Sequence, residues 1–164
     1  MAEMTAEPTI TISKVAARQL AAVHRQVRVG EVGSLWRAAL DQVWAFIRSH
    51  PGLRTDGHNV FIYRHPVRPG EPMEVDFGVE VVRTFEPEGG VSPSATPAGE
   101  VASAVHVGPP STLGDTNSAI ERWCAARNRA LAGISWEVYG DPRPDTGAFE
   151  IEVFYLLSPY AAGR

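Results

Sequence analysis

The chain has 164 residues, 15 basic and 19 acidic side chains and a formal net charge of −4. That length suits one domain with a proper core, or two tightly joined halves, but not two large independent domains. Lysine occurs once, at Lys14, and the arginines are scattered, so no basic stripe exists to neutralise nucleic-acid phosphates; direct nucleic-acid binding is not expected. No apolar run reaches the roughly 18–20 residues that span a bilayer, the opening run Met1–Pro8 is acidic and lacks a signal-peptide pattern, and Cys124 is the sole cysteine. These features predict a cytoplasmic protein with no disulfide framework and no membrane partner.

In chain order, strand-like alternation occupies Thr9 to Ile12 and Gln19 to Val27. A helix is predicted over Ser34 to Ser49, where Trp36, Leu40, Val43 and Ile47 make one apolar stripe and Pro51-Gly52 marks the end. Core packing is the default for Trp36, although its place near the helix start also suits a pocket wall. Strands follow at Asn59 to Arg64 and Met73 to Thr84, then a Gly/Pro/Ser-rich loop from Glu88 to Gly99. The second half repeats the order: a strand over Glu100 to Val107, a helix from about Asp115 to Leu131, and strands at Ser135 to Tyr139 and Phe149 to Leu157. Asp115, Thr116 or Ser118 could cap the second helix, its predicted face is Ala119, Trp123, Ala126 and Ala130, and Gly133 follows its end.

The repeated order has matching residues. Ala22-Val23-His24 returns as Ala104-Val105-His106. Further along, Tyr63 aligns with Tyr139, and Met73–Phe77 with Phe149–Val153, these two matches sharing one offset, slightly shorter than that of the first. The difference is absorbed around the helices, where Trp44 and Trp123 are matching landmarks. These matches predict one domain over 1–164 built by internal duplication, with halves of about 8–86 and 98–158 and a linker of about 87–97. The predicted fold class is α+β: two pseudo-twofold strand–helix–strand–strand modules forming an antiparallel sheet, two helices on one face and a ligand groove on the other.

Strand side chains alternate between faces. Phe149, Ile151, Val153, Tyr155 and Leu157 should pack under the helices, leaving Glu150, Glu152, Phe154 and Leu156 opposite. By the same rule Val75, Phe77 and Val79 oppose Glu74, Asp76 and Gly78. Ile134, Trp136 and Val138 suit the core and Ser135, Glu137 and Tyr139 the other face, while Val60 and Ile62 oppose Phe61 and Tyr63. One face therefore gathers Glu74, Asp76, Glu137, Glu150 and Glu152 beside Phe61, Tyr63, Tyr139 and Phe154. Such a face is either the solvated side of an open sheet or a cleft where carboxylates and aromatic faces select lipophilic cations.

Several segments resemble the GyrI-like (gyrase-inhibitor-like) domains, related to the effector-binding domains of AraC- and MerR-type regulators. Trp136-Glu137-Val138-Tyr139, a Gly/Asp/Pro turn and Phe149–Phe154 are similar to the family's C-terminal signature. His106-Val107-Gly108-Pro109 resembles its His-x-Gly-Pro strand end, and Ile10–Ile12 with Arg18–Val23 its opening strand. Pro110 departs from the aromatic many relatives carry there, and no helix-turn-helix segment is expected ahead of the domain. The resemblance implies duplicated modules and a groove that binds lipophilic, often cationic compounds, with polyspecific, multidrug-type selectivity. Its recurrent glutamate maps onto Glu152, with Glu137 and Tyr139 beside it. The expected ligand-binding set is Glu152, Glu137, Tyr139, Trp136, Tyr63, Phe61, Trp36, Glu150 and Phe154.

The alternative implied by the resemblance is a hydrolase that opens cyclopropane-containing genotoxins, with Glu152 and Tyr139 as catalytic groups; binding is favoured over turnover. A topoisomerase-inhibiting module rests on family analogy alone. The five histidines (His24, His50, His58, His65 and His106) and Cys124 show no ligand spacing, so no metal and no cofactor are expected. His24 and His106 are predicted to end equivalent strands as structural residues, and Cys124 to be an inert thiol.

Overall fold

A computed structural model describes residues 8–28, 30–142, 144, 145 and 148–161. The acidic run Met1–Glu7 and the last residues of the predicted domain lie outside them. The elements are β1 (Thr11–Val15), β2 (Gln19–Val27), α1 (Val32–Arg48), β3 (Asn59–Arg64), β4 (Met73–Glu80), β5 (Ser92–Ala95), β6 (Gly99–Gly108), α2 (Leu113–Ala126), β7 (Arg129–Pro142) and β8 (Phe149–Ala161). The strands form one antiparallel sheet in the order β1-β6-β8-β7-β3-β4-β2-β5, with β3 and β7 at its centre. The architecture is α+β, as predicted.

Two short connections give the sheet its shape. Residues 16–18 join β1 to β2, and residues 96–98 join β5 to β6, each linking strands six places apart in the order. In a flat sheet six spacings amount to about 29 Å. Four Cα steps reach at most about 14 Å. The sheet therefore curls until its edges approach, and the two connections meet: the Arg18 amide donates to Thr96 Oγ1 at 2.8 Å and the Thr96 amide to the Arg18 carbonyl at 3.0 Å.

Curling gives the sheet an inner core that the helices never touch. Leu20, Val60, Ile62, Val101, Trp136, Val138 and Phe154 pack together there. Trp136 stacks on Phe154 with ring centroids 5.4 Å apart. On the outer face α1 covers β2, β4 and Phe61 through Ala39, Leu40, Val43, Phe46 and Ile47. Helix α2 covers β6 and β8 through Leu113, Ile120 and Cys124.

Local chemistry sets the boundaries. Helix α2 stops at Ala126, short of the predicted Leu131, because Asn128 takes a left-handed φ of 56° that reverses the chain into β7. Ala130 and Leu131 are thus strand residues. Gly133 (φ 88°) lies in the irregular stretch of β7 between Leu131 and Ser135 rather than capping the helix. No side chain caps α2; Asp115 instead sits in its first turn, where a negative charge suits the helix dipole. The predicted central loop contains β5, which pairs with Gln19–Ala22 at the sheet edge. Among the described residues no helix is long and apolar enough to cross a membrane.

The register explains which faces the sequence inverts. Val153 pairs with Glu137, and Phe154 with Trp136. Glu137, Ser135 and Tyr139 therefore share the helix side with Ile151, Val153 and Tyr155, while Trp136 and Val138 turn inward with Phe154. The same holds for β3, where Phe61 opposes Glu137 and Val60 opposes Val138. Val60, Ile62, Trp136 and Val138 are core residues as expected, but of the inner core. The groove accordingly lies on the same face as the helices.

Candidate functional site

Helices α1 and α2 lie over opposite halves of the sheet and leave the central strands β3 and β7 partly uncovered. A groove of about 680 Å³ opens there. One wall is the α1 stripe Trp36, Leu40 and Trp44, spaced four residues apart; the other is Leu113, Gly114 and Asn117 of α2. The floor is Phe61, Tyr63, Glu137 and Tyr139, with Arg54, His58, Asp141 and Phe149 also lining it. Phe61 contacts Trp36, Phe77 and Tyr139 at ring-centroid distances of 6.4, 4.9 and 5.0 Å. The interior is apolar and aromatic around one buried carboxylate.

That carboxylate is Glu137, which is only 6% exposed. Both flanking phenols donate to its Oε1, Tyr63 at 2.8 Å and Tyr139 at 2.7 Å. Burial raises the Glu137 pKa, and the hydrogen bonds from Tyr139, Tyr63 and Asn117 only partly offset it. Burial beside the same carboxylate drives Tyr63 and Tyr139 far above the ordinary phenol range, so they stay protonated as donors. Asn117 is held in turn by its own contacts: its Nδ2 donates to the Leu113 carbonyl at 3.0 Å and its Oδ1 accepts from Tyr155 at 2.8 Å. Glu137 is thus a positioned carboxyl with donors but no cation among its hydrogen-bond partners.

Of the expected residues, the structure brings Glu137, Tyr139, Tyr63, Phe61 and Trp36 together in this groove. It places four elsewhere. Trp136 and Phe154 are buried in the inner core. Glu152 is exposed, and its register opposite Val105 and Val138 puts it on the inner side of the sheet, away from the helices. Glu150 shares that side. Tyr139 pairs with Ile151, so the expected Glu152–Tyr139 catalytic pair is divided by the sheet. Alternation places Glu150 and Glu152 away from the helices correctly; the error lies in giving Glu137 the same face. Trp44, Asn117 and Arg54 line the groove beyond the expected set, and the i, i+4, i+8 spacing of Trp36, Leu40 and Trp44 is legible in the sequence.

The His106-Val107-Gly108-Pro109 strand end has a structural role. His106 Nδ1 lies 2.9 Å from Thr116 Oγ1 and Nε2 lies 3.0 Å from the Pro109 carbonyl, tying β6 to the start of α2. His24 differs from it: on the opposite face it bridges Asp76 at 2.6 Å and Glu74 at 2.5 Å. Arg64 and Ser94 also donate to Asp76.

The GyrI-like small molecule binding domain family matches residues 8–156. No curated protein matches the chain. Among solved structures, the EcmrR C-terminal domain is similar at a TM-score of 0.75 and 17% identity, covering 93% of this chain and 99% of that one. A structure of SAV2435 bound to tetraphenylphosphonium aligns at a TM-score of 0.69 and 8% identity, covering 92% and 94%. A hydrolase from Listeria innocua aligns at a TM-score of 0.62 and 11% identity, covering 93% of each chain. The profile match over most of the sequence, on a fold shared with these structures, makes the chain a member of the GyrI-like small-molecule-binding family.

Proposed function

We propose that this protein binds lipophilic, aromatic, often cationic compounds with broad selectivity, and that Glu137 selects for the positive charge. The observation that carries this reading is one buried carboxylate at the floor of a large aromatic groove, hydrogen-bonded by two phenols and with no cation among its hydrogen-bond partners. A lipophilic cation loses little water on entering, restores the counter-charge, and meets ring faces that attract cations by about 0.5–2 kcal/mol each. Smooth aromatic walls discriminate weakly by shape, which supports breadth. Tetraphenylphosphonium bound to SAV2435 on the same fold is consistent with such chemistry. An intracellular setting, supported by the lone Cys124, and an origin by duplication, supported by the constant offset between matching strand residues, belong to the same proposal.

Calorimetric titration with tetraphenylphosphonium and with neutral triphenylphosphine oxide tests it. Glu137→Gln should weaken the cation by about 10–100-fold and the neutral compound by less than about threefold. Equal losses for both would reject charge selection by Glu137.

The hydrolase reading draws on the same three groups. A carboxyl raised by burial suits a general base for water, and Tyr63 or Tyr139 could donate to an opening ring. Incubation with a cyclopropane-bearing alkylator and mass spectrometry for added water decides it; no turnover above buffer leaves binding standing alone.

A further inference from the structure

The groove carries a second charge that this reading does not use. Arg54 lines it, with its guanidinium carbon 4.7 Å above the Trp44 ring. Arg54 Nε donates to the Gly57 carbonyl at 2.7 Å, and Trp44 Nε1 donates to Asn59 Oδ1 at 3.0 Å, so cation and ring are each anchored to backbone or strand. Gly57 is itself pinned, since a Cβ there would lie 2.1 Å from the Glu80 carbonyl oxygen. Arg18, Arg64 and Arg129 all have carboxylate partners in Glu80, Asp76 and Glu100. Among the described residues Arg54 has none. Asp141, also at the groove, is 89% exposed and its partner is His58 at 3.9 Å. A planar, stacked guanidinium held at one nitrogen and open at the others is suited to a carboxylate or another strong acceptor.

Its place sets it apart from Glu137 along the strands. Trp44 is bonded to Asn59, which pairs with Tyr139, two residues along β7 from Glu137. Two strand residues correspond to about 7 Å. We propose that the groove is bipolar and takes amphoteric ligands: an aromatic body with a cationic end at Glu137 and an anionic or strongly accepting end at Arg54, beyond the Tyr139–Asn59 pairing. This rests on Glu137 receiving the cation and adds a second determinant of selectivity. Compounds with an aromatic core, a basic amine and a distal carboxylate fit both ends, whereas a simple lipophilic cation uses one.

Two triphenylphosphonium salts test this, one with a hexyl tail and one with a carboxypentyl tail, titrated against wild type, Arg54→Gln, Arg54→Lys and Glu137→Gln. The readout is the ratio of the two affinities in each protein. In wild type the carboxylate-bearing salt should bind about tenfold tighter, the scale of one charge-assisted hydrogen bond. Arg54→Gln should bring the ratio close to one. Arg54→Lys, which keeps the charge but loses the planar stack, should fall between. Glu137→Gln should weaken both salts by a similar factor and preserve the ratio. A wild-type ratio of one or less, or a ratio that survives Arg54→Gln in a protein with wild-type circular dichroism, overturns the proposal. Unchanged affinity of both salts in Glu137→Gln would instead reject the cation reading beneath it.

Discussion

In the free protein Glu137 is a carboxyl group withdrawn from water, with hydroxyl and amide donors around it but no cation bonded to it. Burial raises its pKa above the value it has in the unfolded chain. The folded state therefore holds this proton more tightly than the unfolded state, and stability falls as pH rises from the unfolded pKa to the folded one, then levels off. Each unit of displacement amounts to about 1.4 kcal/mol. Glu137→Gln keeps an oxygen to accept from Tyr63 and Tyr139 and removes the buried charge. The variant should therefore be more stable than wild type at pH 8, with a Tm higher by about 2–4 °C per kcal/mol recovered, and its stability should lack the fall seen in wild type.

Cation binding shows the opposite trend. At about 4 Å and an effective dielectric near 20 the attraction is about 4 kcal/mol. Desolvation of the ligand reduces this to about 1.5–3 kcal/mol net, the worth of a hydrogen-bonded charge. Below the raised pKa, binding must also expel the Glu137 proton, so wild-type affinity should climb with pH and then plateau. Titrations across pH 5–9 in both proteins test this, with His58 and Asp141 at the groove common to both and His106 the other charge that acts on Glu137. A Gln variant less stable than wild type at pH 8, or one whose cation affinity keeps the wild-type pH slope, would refute the assignment.

Other expectations follow from where side chains lie. Glu152→Gln, altering an exposed residue on the far side of the sheet, should change cation affinity by less than about twofold. Trp136→Ala should cost about 3–5 kcal/mol by chemical denaturation, as a buried indole removed from the inner core, while the folded fraction keeps its groove. Hydrogen bonding to Asp76, opposed in part by burial, raises the His24 pKa. This stabilising contribution is full below the unfolded imidazole value and disappears as pH rises through the folded one, so His24→Gln should flatten the stability profile across that upper window.

Much of the fold is legible because alternation and turn residues are local signals. Strands β2 and β3 have the predicted ends, and the alternation of β8 correctly separates Ile151, Val153 and Tyr155 from Glu150 and Glu152. What the local pattern does not contain is that part of the second face of the sheet is buried as well. Once short connections curl the sheet, an apolar row such as Val60-Ile62 or Trp136-Val138 can be core without facing a helix. The row left over, Phe61-Tyr63 and Glu137-Tyr139, is then a roofed groove instead of a wet surface. A shift of one position hides in the Ala-Val-His match for a related reason. Asp76 and Glu152 correspond at the offset that relates Tyr63 to Tyr139, but their partners are His24 and Val105, so His106 turns to the opposite face from His24.

The same offset locates the carboxylate. It relates Phe61 to Glu137, which pair directly across β3 and β7, while Tyr63 and Tyr139 occupy matching places on either side. Strands β3 and β7 thus meet at one position, where each contributes the residue that this offset relates. Two acidic residues there would have their Cβ atoms about 4.5–5.5 Å apart on the helix side of the sheet, where each charge would disfavour the other. Phenylalanine on β3 and glutamate on β7 instead leave a single carboxylate at that pairing. Phe61 supplies the aromatic floor, and both tyrosine hydroxyls converge on the one carboxylate oxygen. The site depends on the matching places of Tyr63 and Tyr139 to bring the phenols together, and on the Phe61–Glu137 pairing to leave one buried acid between them.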